Sequence, residues 1–485
     1  MTNTVIDLRA RAHQAMLDAG FHPDFPPEVL REIQALKPIA PNISGNVRDL
    51  RSLLWSSIDN DSSRDLDQVE YAEKLPDGNM RLLVGIADVD TSVPKGSATD
   101  RHAAAETTSV YLGVVIFPML PEALSTDLTS LRDSQERLSI VIDLQVLPSG
   151  ELKSHDIYPA WLRNRAKLAY SATGAWIEGR GPIPSPVAAV PGMEAQIRLQ
   201  FETSGLLRAA RQRNGALTFG SVEATPVVQN GEVKDITVVR HTVAEDIIES
   251  FMVAANVAMA QFLRERGSLA LRRVVRTPKR WDGIQLIAAK FNVKLPDAPD
   301  PRALADFLAA RKTADPDHFQ DLSLSIVKLL GPGEYIVETP GTEHEGHFGL
   351  AVQDYTHSTA PNRRFADLVT QRLLKATSLN APAPYSQAEL SVIATHCTER
   401  EDASRKVERL MRKVAAANLL SHRIGEVFDA IVTGASPKGT YVRLLKMPIE
   451  GRIDRGAQGV NVGDSVRVKL VSVNVAQGFI DFDRL

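Results

Sequence analysis

The chain has 485 residues, with 56 Lys and Arg against 59 Asp and Glu, a formal net charge of -3 and 44% hydrophobic residues. That composition excludes collagen-like, disordered and small disulfide-framework proteins, and the length suggests roughly two to four domains. The single cysteine, Cys397, has no partner for an internal disulfide; with no apolar secretory run at the N-terminus, the expectation is a reducing cytoplasm. No run of about 18 uninterrupted apolar residues suggests a membrane span. The near-neutral total neither advertises nor excludes a nucleic-acid binder, because local clustering of Lys and Arg decides that question.

In chain order, Ile6, Leu8, Ala12, Ala15 and Met16 recur near helical spacing and Gly20 can stop that helix; a second helix is expected over Glu28–Leu36, after Pro26 and Pro27. Pro38 and Pro41 then break the chain and mark 38–48 as a linker. A core of about fifty residues is marginal alone, so this piece should dock on its neighbour. From Asp49 to about residue 240 the signal is mainly strand: Val69–Lys74 leading into a hairpin at Pro76–Gly78, Leu82–Val89, Leu138–Leu147 with its alternating Ile140, Ile142, Leu144 and Val146, and a hairpin over Leu217–Val239 around Asn230–Gly231. From Glu245 the period becomes helical. Glu245–Gly267 reads as a long, mostly buried helix closed by Gly267, followed by helices at Pro301–Lys312, Asp317–Leu330, Asn362–Ala376 and Ser386–Arg423. The last sixty residues give about five short strands with Gly-bearing turns, the count of a small OB-type barrel.

The most chemical segment is Ser57–Tyr71, where Asp59, Asp61, Asp65 and Asp67 fall within nine residues and Glu70 follows. In a dry site such carboxylates repel by on the order of several kcal/mol, and hard divalent cations with oxygen ligands are the natural compensation. Three readings compete. One is a solvated acidic turn. The second is a calcium loop, since Asp59, Asp61, Ser63, Asp65, Asp67 and Glu70 occupy positions one, three, five, seven, nine and twelve of an EF-hand pattern; Arg64 stands at the glycine position, however, and no helix pair flanks the loop. The third is a magnesium site for phosphoryl transfer, in which cations activate a water and neutralise the leaving oxygen.

The segment DLRSLLWSSIDNDSSRDLDQ (49–68) resembles the signature of the ribonuclease II / ribonuclease R family, the RNB catalytic domain: an aspartate after a short apolar strand, then an Asp-x-Asp-Asp run. The resemblance continues in order through GIADVDTSVPKGSATDRHA, PMLPEALSTDLTSL, GALTF, EDIIESFMVAANVA and HSTAPNRRFADLVTQRLLKA, and covers residues 49–424. It implies that Asp59, Asp65 and Asp67 are active-site aspartates that hold metal, with Asp67 indispensable. The fourth aspartate position holds Gln68, whose amide oxygen can still coordinate but brings less charge. Asp61 lies outside the pattern, Asp88 is expected to be structural, and Ser404 stands where some relatives carry a glutamate.

By the same resemblance Arg363 reaches the scissile phosphate, where a forked guanidinium suits charge spread over non-bridging oxygens; from spacing alone, Arg363 and Asp367 read as an i,i+4 helix-surface pair. Tyr111 and Phe219 match the aromatics that stack on the terminal bases, a mode that accepts every base, although out of context both read as core residues. Glu249 matches a glutamate that contacts sugar, a helix-surface glutamate being the plain alternative. The segment 425–485 resembles an S1-like OB-fold domain through VTGASPKGTYV (432–442), with Tyr441 at an exposed aromatic position of the binding face and Asp454 where such domains often carry His. Basic groups at Arg163, Arg165 and Lys167, at Arg208, Arg211 and Arg213, and at Arg272, Arg273, Arg276, Lys279 and Arg280 could line a path for phosphates, or be solvated faces.

The resulting expectation is an α+β fold: a small helical, helix-turn-helix-like domain over 1–48, an RNB-type mixed sheet or barrel core with surrounding helices over 49–424, and a five-stranded OB-fold barrel over 425–485. The implied activity is a hydrolytic, processive 3′→5′ exoribonuclease that takes the 3′ end of single-stranded RNA to nucleoside 5′-monophosphates. It uses Mg2+, with Mn2+ as a substitute, and no organic cofactor; the protein is expected to be monomeric and off the membrane. Relatives usually carry two cold-shock domains ahead of the catalytic domain, and the N-terminal helices are expected to replace them with a wider entrance that admits structured RNA. The alternative is a catalytically inactive RNB-fold RNA-binding adaptor, which Gln68 favours; a calcium-binding protein is the weaker rival.

Overall fold

Asp7 accepts the Arg9 and Ala10 amides and so caps α1 (Leu8–Asp18), while Pro26 and Pro27 preset the start of α2 (Pro27–Ala35). In this computed structural model, which describes residues 7–485 except 44, 221–222, 230–231, 240, 317, 343–344 and 437–438, neither helix stands alone. Leu8, Ala12, Ala15 and Met16 of α1 share a core with Met411 and Val414 of the long C-terminal helix. Glu32 of α2 accepts the Ala98 and Thr99 amides at 2.7 and 2.8 Å. The expected docking is what the structure shows.

The centre is a closed mixed barrel. Its strands are β1 (Arg48–Asp49), β2 (Trp55–Asp59), β3 (Gln68–Lys74) and β4 (Met80–Ala87), then, after α3 (Ala98–Glu106) and the short pair β5 (Val110–Tyr111) and β6 (Ile116–Phe117), β7 (Glu136–Val146) and β8 (Leu152–Ala169). The sheet order is β1-β8-β2-β3-β4-β7, and β7 pairs back onto β8. β8 closes the ring by serving two neighbours: Leu152–Arg163 runs antiparallel to β7, and Asn164–Ala169 runs parallel to β2, ending on the pair Asp59–Ala169. Trp55, Val69 and Leu162 fill the lumen with no more than 1% exposure. They leave no room at Gly85, where a Cβ would lie 2.3 Å from Leu162 Cδ1 and 3.1 Å from Val69 Cγ2.

The next stretch corrects the strand-dominated expectation. Besides α4 (Tyr170–Ile177) and α5 (Ser185–Ala188), a 21-residue helix, α6 (Met193–Arg213), covers the outside of the barrel. Its buried face mixes Met193, Ile197, Leu207 and Ala210 with Gln196, Gln200, Thr203 and Ser204, so the apolar period is interrupted. Gln196 exchanges hydrogen bonds with both the N–H and the C=O of Ala72, and Gln200 Nε2 donates to Ser56 Oγ and to the Glu70 carbonyl. The hairpin β9 (Glu223–Gln229) and β10 (Glu232–Val239) forms as expected, and its turn at Asn230–Gly231 lies outside the described residues.

A Thr242–Glu245 capping box opens α7 (Val243–Glu265), which is apolar enough by composition to cross a bilayer but is mostly buried inside the fold. There follow β11 (Ala270–Val274), α8 (Trp281–Ala289), α9 (Pro301–Ala314), α10 (Phe319–Leu330) and β12 (Glu334–Glu338); α8 to α10 build a separate core on Trp281, Phe307 and Phe319. Asp317, the expected start of α10, is outside the described residues. Then come α11 (Phe365–Ser378) and α12 (Gln387–Leu420). Last, β13 (Val427–Ser436), β14 (Gly439–Leu444), β15 (Glu450–Arg455), β16 (Ser465–Asn474) and β17 (Phe479–Arg484) close into a five-stranded barrel of order β13-β14-β15-β17-β16. The α+β expectation with an OB-type end therefore holds.

Two members of the third basic group do not line a path. Arg272 and Arg273 are buried in β11 and paired with Glu338, Asp354 and Glu401, because guanidinium enters a core only with its countercharge. For the barrel, Gly85→Ala is expected to cost about 1–3 kcal/mol by overpacking the lumen, read as a lower Tm and urea midpoint; an unchanged midpoint would show slack around Leu162.

Candidate active site

Asp59 ends β2, Gln68 begins β3, and the loop between them carries Asp61, Asp65 and Asp67. Backbone bonds fix this loop: the Leu66 carbonyl accepts the Leu131 N–H at 2.9 Å, and the Asp67 carbonyl accepts the Ala87 N–H at 2.9 Å. The arginine arrives from 296 positions away, at Arg363 against Asp67. Helix α11 starts at Phe365, three residues later than expected, because Asp367 reaches back to accept the Ala360 N–H at 2.8 Å and holds 360–364 as a turn. That turn is sewn to the strand of Tyr111. Thr107 ends α3 in the left-handed region (φ 58°) and its carbonyl accepts the Phe365 N–H at 2.8 Å, while the Ser109 N–H donates to the Arg363 carbonyl at 2.9 Å.

Asp67 is the buried centre of this arrangement. Its Oδ1 accepts the Asn362 N–H at 3.0 Å and its Oδ2 lies 3.7 Å from Arg363 Nε. The aspartate is almost wholly buried, whereas the Arg363 side chain is 46% exposed, so the guanidinium is anchored at one end and free to meet a ligand at the other. The i,i+4 alternative for Arg363 fails: Asp367 pairs with Arg364, at 2.6 Å. Tyr111 donates its hydroxyl to Asp65 Oδ2 at 2.8 Å and keeps an exposed ring. Asp59 Oδ1 accepts the Asn60 amide at 2.7 Å and Ser63 Oγ at 2.8 Å. Asp61 is peripheral and accepts from Ser171 Oγ at 3.0 Å.

Burial dominates the electrostatics. It raises the Asp59 carboxyl above the usual range and pushes Asp67 up to about 7, against the opposing pull of Arg363 and the Asn362 N–H. Burial and the Asp65 charge together raise the Tyr111 hydroxyl.

Two groups, Asn362 and Tyr170, were missed by sequence reasoning, and a third, Glu70, was named only in the acidic run and the calcium-loop spacing. Asn362 supplies the N–H that holds Asp67. Tyr170 follows Ala169, the β8 residue paired with Asp59, and its hydroxyl is raised by burial and by the charges of Asp59 and Glu70. Glu70 is fully buried, its two carboxylate oxygens lacking any hydrogen bond. No local signal marks the first two, since each is placed by pairing over long sequence distance; Glu70 was visible in the acidic run. An open cleft of about 560 Å3 borders the Asp59 loop, lined by Asn60, Asp61, Tyr170, His241, Thr242 and Glu245.

Three other expected residues have neighbours of their own. Phe219 follows α6 and packs on the core of Trp281 and Phe319, with no ring contact to Tyr111. Glu249, on α7, pairs with Arg211 at 3.2 Å. Tyr441 stands exposed on β14, opposite Arg452 of β15.

The loop residues fit a cation chemically. Asp67 Oδ2 and both Glu70 oxygens are buried acceptors without donors, and every donor atom offered is a hard oxygen. The carboxylates are not drawn together: among the described residues, the acidic or imidazole set with three ligand atoms within 4.8 Å of one another is His241, Asp246 and Glu249, and that set is ion-paired with Arg208 and Arg211.

A loop of aspartates at the rim of a barrel, one of them buried against an arginine, with an OB-type barrel appended, is the arrangement of a nuclease fold. The chain belongs to the RNB family: residues 47–380 match the RNB domain and residues 426–485 the RNase II-type exonuclease C-terminal S1 domain. It is 30% identical to ribonuclease R of Thermotoga maritima over 95% of this chain and 68% of that protein. It is 27% identical to ribonuclease R of Escherichia coli K12 over 99% of this chain, and spans 62% of that relative's length. RNase R of Mycoplasma genitalium, solved with ribose-methylated single-stranded RNA, superposes with a TM-score of 0.89 at 24% identity, covering 99% of this chain and 78% of that one. The same protein with double-stranded RNA gives 0.87 at 25% identity, covering 99% and 83%.

Linkage gives the pH dependence. Asp67 binds a proton more tightly folded, near pH 7, than unfolded, near 3.8. The folded state therefore holds the extra proton between these values, and stability conferred by the buried neutral acid is lost as pH rises through that window, by up to about 1.4 kcal/mol per pH unit. In chelator, Asp67→Asn is expected to flatten the fall in Tm between pH 5 and 8; an unchanged slope would show that Asp67 does not titrate there.

Proposed function

We propose that this protein is a Mg2+-dependent 3′→5′ exoribonuclease that hydrolyses the terminal phosphodiester of single-stranded RNA and releases nucleoside 5′-monophosphates processively. The observation that carries this reading is the Asp67–Arg363 pair, with one member buried and held by a backbone N–H and the other half exposed beside Tyr111.

In the reaction, water adds to phosphorus and the bond from phosphorus to the 3′ oxygen of the penultimate nucleotide breaks. The terminal nucleotide leaves as a 5′-monophosphate and the shortened strand keeps a 3′-hydroxyl. Arg363, oriented by Asp67, faces the non-bridging oxygens where charge grows. Asp59, Asp65, Asp67 and Gln68 would be the oxygen donors to metal, and the three aspartates would orient the water. A bound divalent cation, with Mn2+ as a substitute for Mg2+, supplies charge neutralisation and a more acidic water. Tyr111, fixed through its hydroxyl to Asp65, presents a ring for the terminal base, a contact worth about 1–3 kcal/mol. Phe219 is the second aromatic of the clamp on the terminal bases, Glu249 contacts sugar near the terminus, and Tyr441 binds RNA on the face of the C-terminal barrel. Tolerance of structured RNA belongs to the same reading.

The test is digestion of a 5′-labelled oligoribonucleotide. The wild-type protein should shorten it from the 3′ end with Mg2+ and not with chelator. Asp67→Asn should keep RNA affinity within a few-fold while turnover falls by orders of magnitude, and Arg363→Ala should lose roughly 10²–10³ in kcat, the size of a lost transition-state donor. Normal turnover in Asp67→Asn would refute the role given to that carboxylate. RNA binding by wild-type protein without any shortening would establish the adaptor reading that Gln68 favours.

A further inference from the structure

Side chains alternate across a strand, so Gln68 and Glu70 occupy the same face of β3. That is the outer face of the barrel: Ser56 of β2 is the cross-strand neighbour of Glu70, and α6 lies over both. Gln200 of α6 spends its Nε2 on Ser56 Oγ at 3.0 Å and on the Glu70 carbonyl at 3.2 Å. Nothing donates to the Glu70 carboxylate, although the residue is completely buried and both its oxygens are shielded from solvent. A packing role would call for an apolar side chain, and a structural polar role would call for a donor; Glu70 has neither. Asp59 ends the adjacent strand, three residues beyond the Ser56 that pairs with Glu70. A half-buried carboxylate at the end of one strand and a buried one without donors on the next are matched by a cation between them. Gln68 offers such an ion an amide oxygen without charge, and Glu70, one methylene longer than an aspartate, brings a carboxylate from two residues further along the same face.

We propose that Glu70 is a metal ligand of this active site and supplies, with Asp59, the negative charge that Gln68 does not. The idea rests on the hydrolytic reading above for the identity of the site, but it concerns metal binding and is tested apart from turnover. Mn2+ is titrated into the RNA-free full-length protein and the bound fraction followed by electron paramagnetic resonance. Glu70→Gln, nearly isosteric, should weaken the Kd at least tenfold while its Tm in chelator stays equal to or above wild type, because an uncompensated buried acid has been removed. Adding Gln68→Asp to that variant should restore the Kd to within about threefold of wild type. Glu70→Asp, which keeps the charge but retracts it, should also weaken binding, and it decides the matter if Glu70→Gln fails to fold.

Wild-type Kd values in the Glu70 variants, or failure of Gln68→Asp to restore binding, would overturn the assignment. If that happens while wild-type protein still shortens RNA, hydrolysis stands without Glu70. If Mn2+ binds through Glu70 and RNA is never shortened, the ligand assignment stands and hydrolysis falls.

Discussion

The arrangement depends on a carboxylate kept out of water. Asp67 lies buried at the rim of the barrel, with one backbone N–H on one oxygen and a guanidinium 3.7 Å from the other. A carboxylate so desolvated is costly unless charge is brought to it, and the fold brings that charge from the far end of the domain. The turn that carries Arg363 is tied to the segment that carries Tyr111, and Tyr111 is tied to Asp65. Tyr111, Arg363 and the acidic loop are thus three parts of one connected unit, and displacing any one strains the others.

The barrel serves this unit by closing through a single long strand. Because β8 leaves β7 to run beside β2, Asp59 and Tyr170 come to the same rim, and the lumen below is packed tightly enough to exclude a Cβ at Gly85. Polar contacts from α6 hold the outside of β2 and β3 in register, which leaves the neighbouring Glu70 carboxylate unpaired. The C-terminal barrel and the docked N-terminal helices attach to this frame through α12, whose Met411 and Val414 join α1 and the last strands in one core.

Much of this was legible in the sequence. The density of aspartates near residue 60 and the order of motifs to residue 424 pointed to the site and its arginine, and the Gly-punctuated strands after residue 425 gave the OB-type barrel. What was not legible depended on partners. Helix α6 buries amides and hydroxyls among its apolar residues, so its period was blurred. Arg363 and Arg364 are adjacent in sequence, and only the turn geometry shows that the second takes Asp367 and leaves the first to Asp67. Arg272 and Arg273 looked like a basic patch until β11 buried them among acids. Tyr170 has no motif of its own and gains its place from one parallel strand pair.

The central claim is that Asp67 and Arg363 act as a unit on the reacting phosphate, and a double-mutant cycle in single-turnover RNA cleavage tests it most directly. The account predicts strong non-additivity, with Asp67→Asn/Arg363→Ala scarcely slower than the more impaired single variant. Losses that simply add would mean the two groups work independently, and would contradict it.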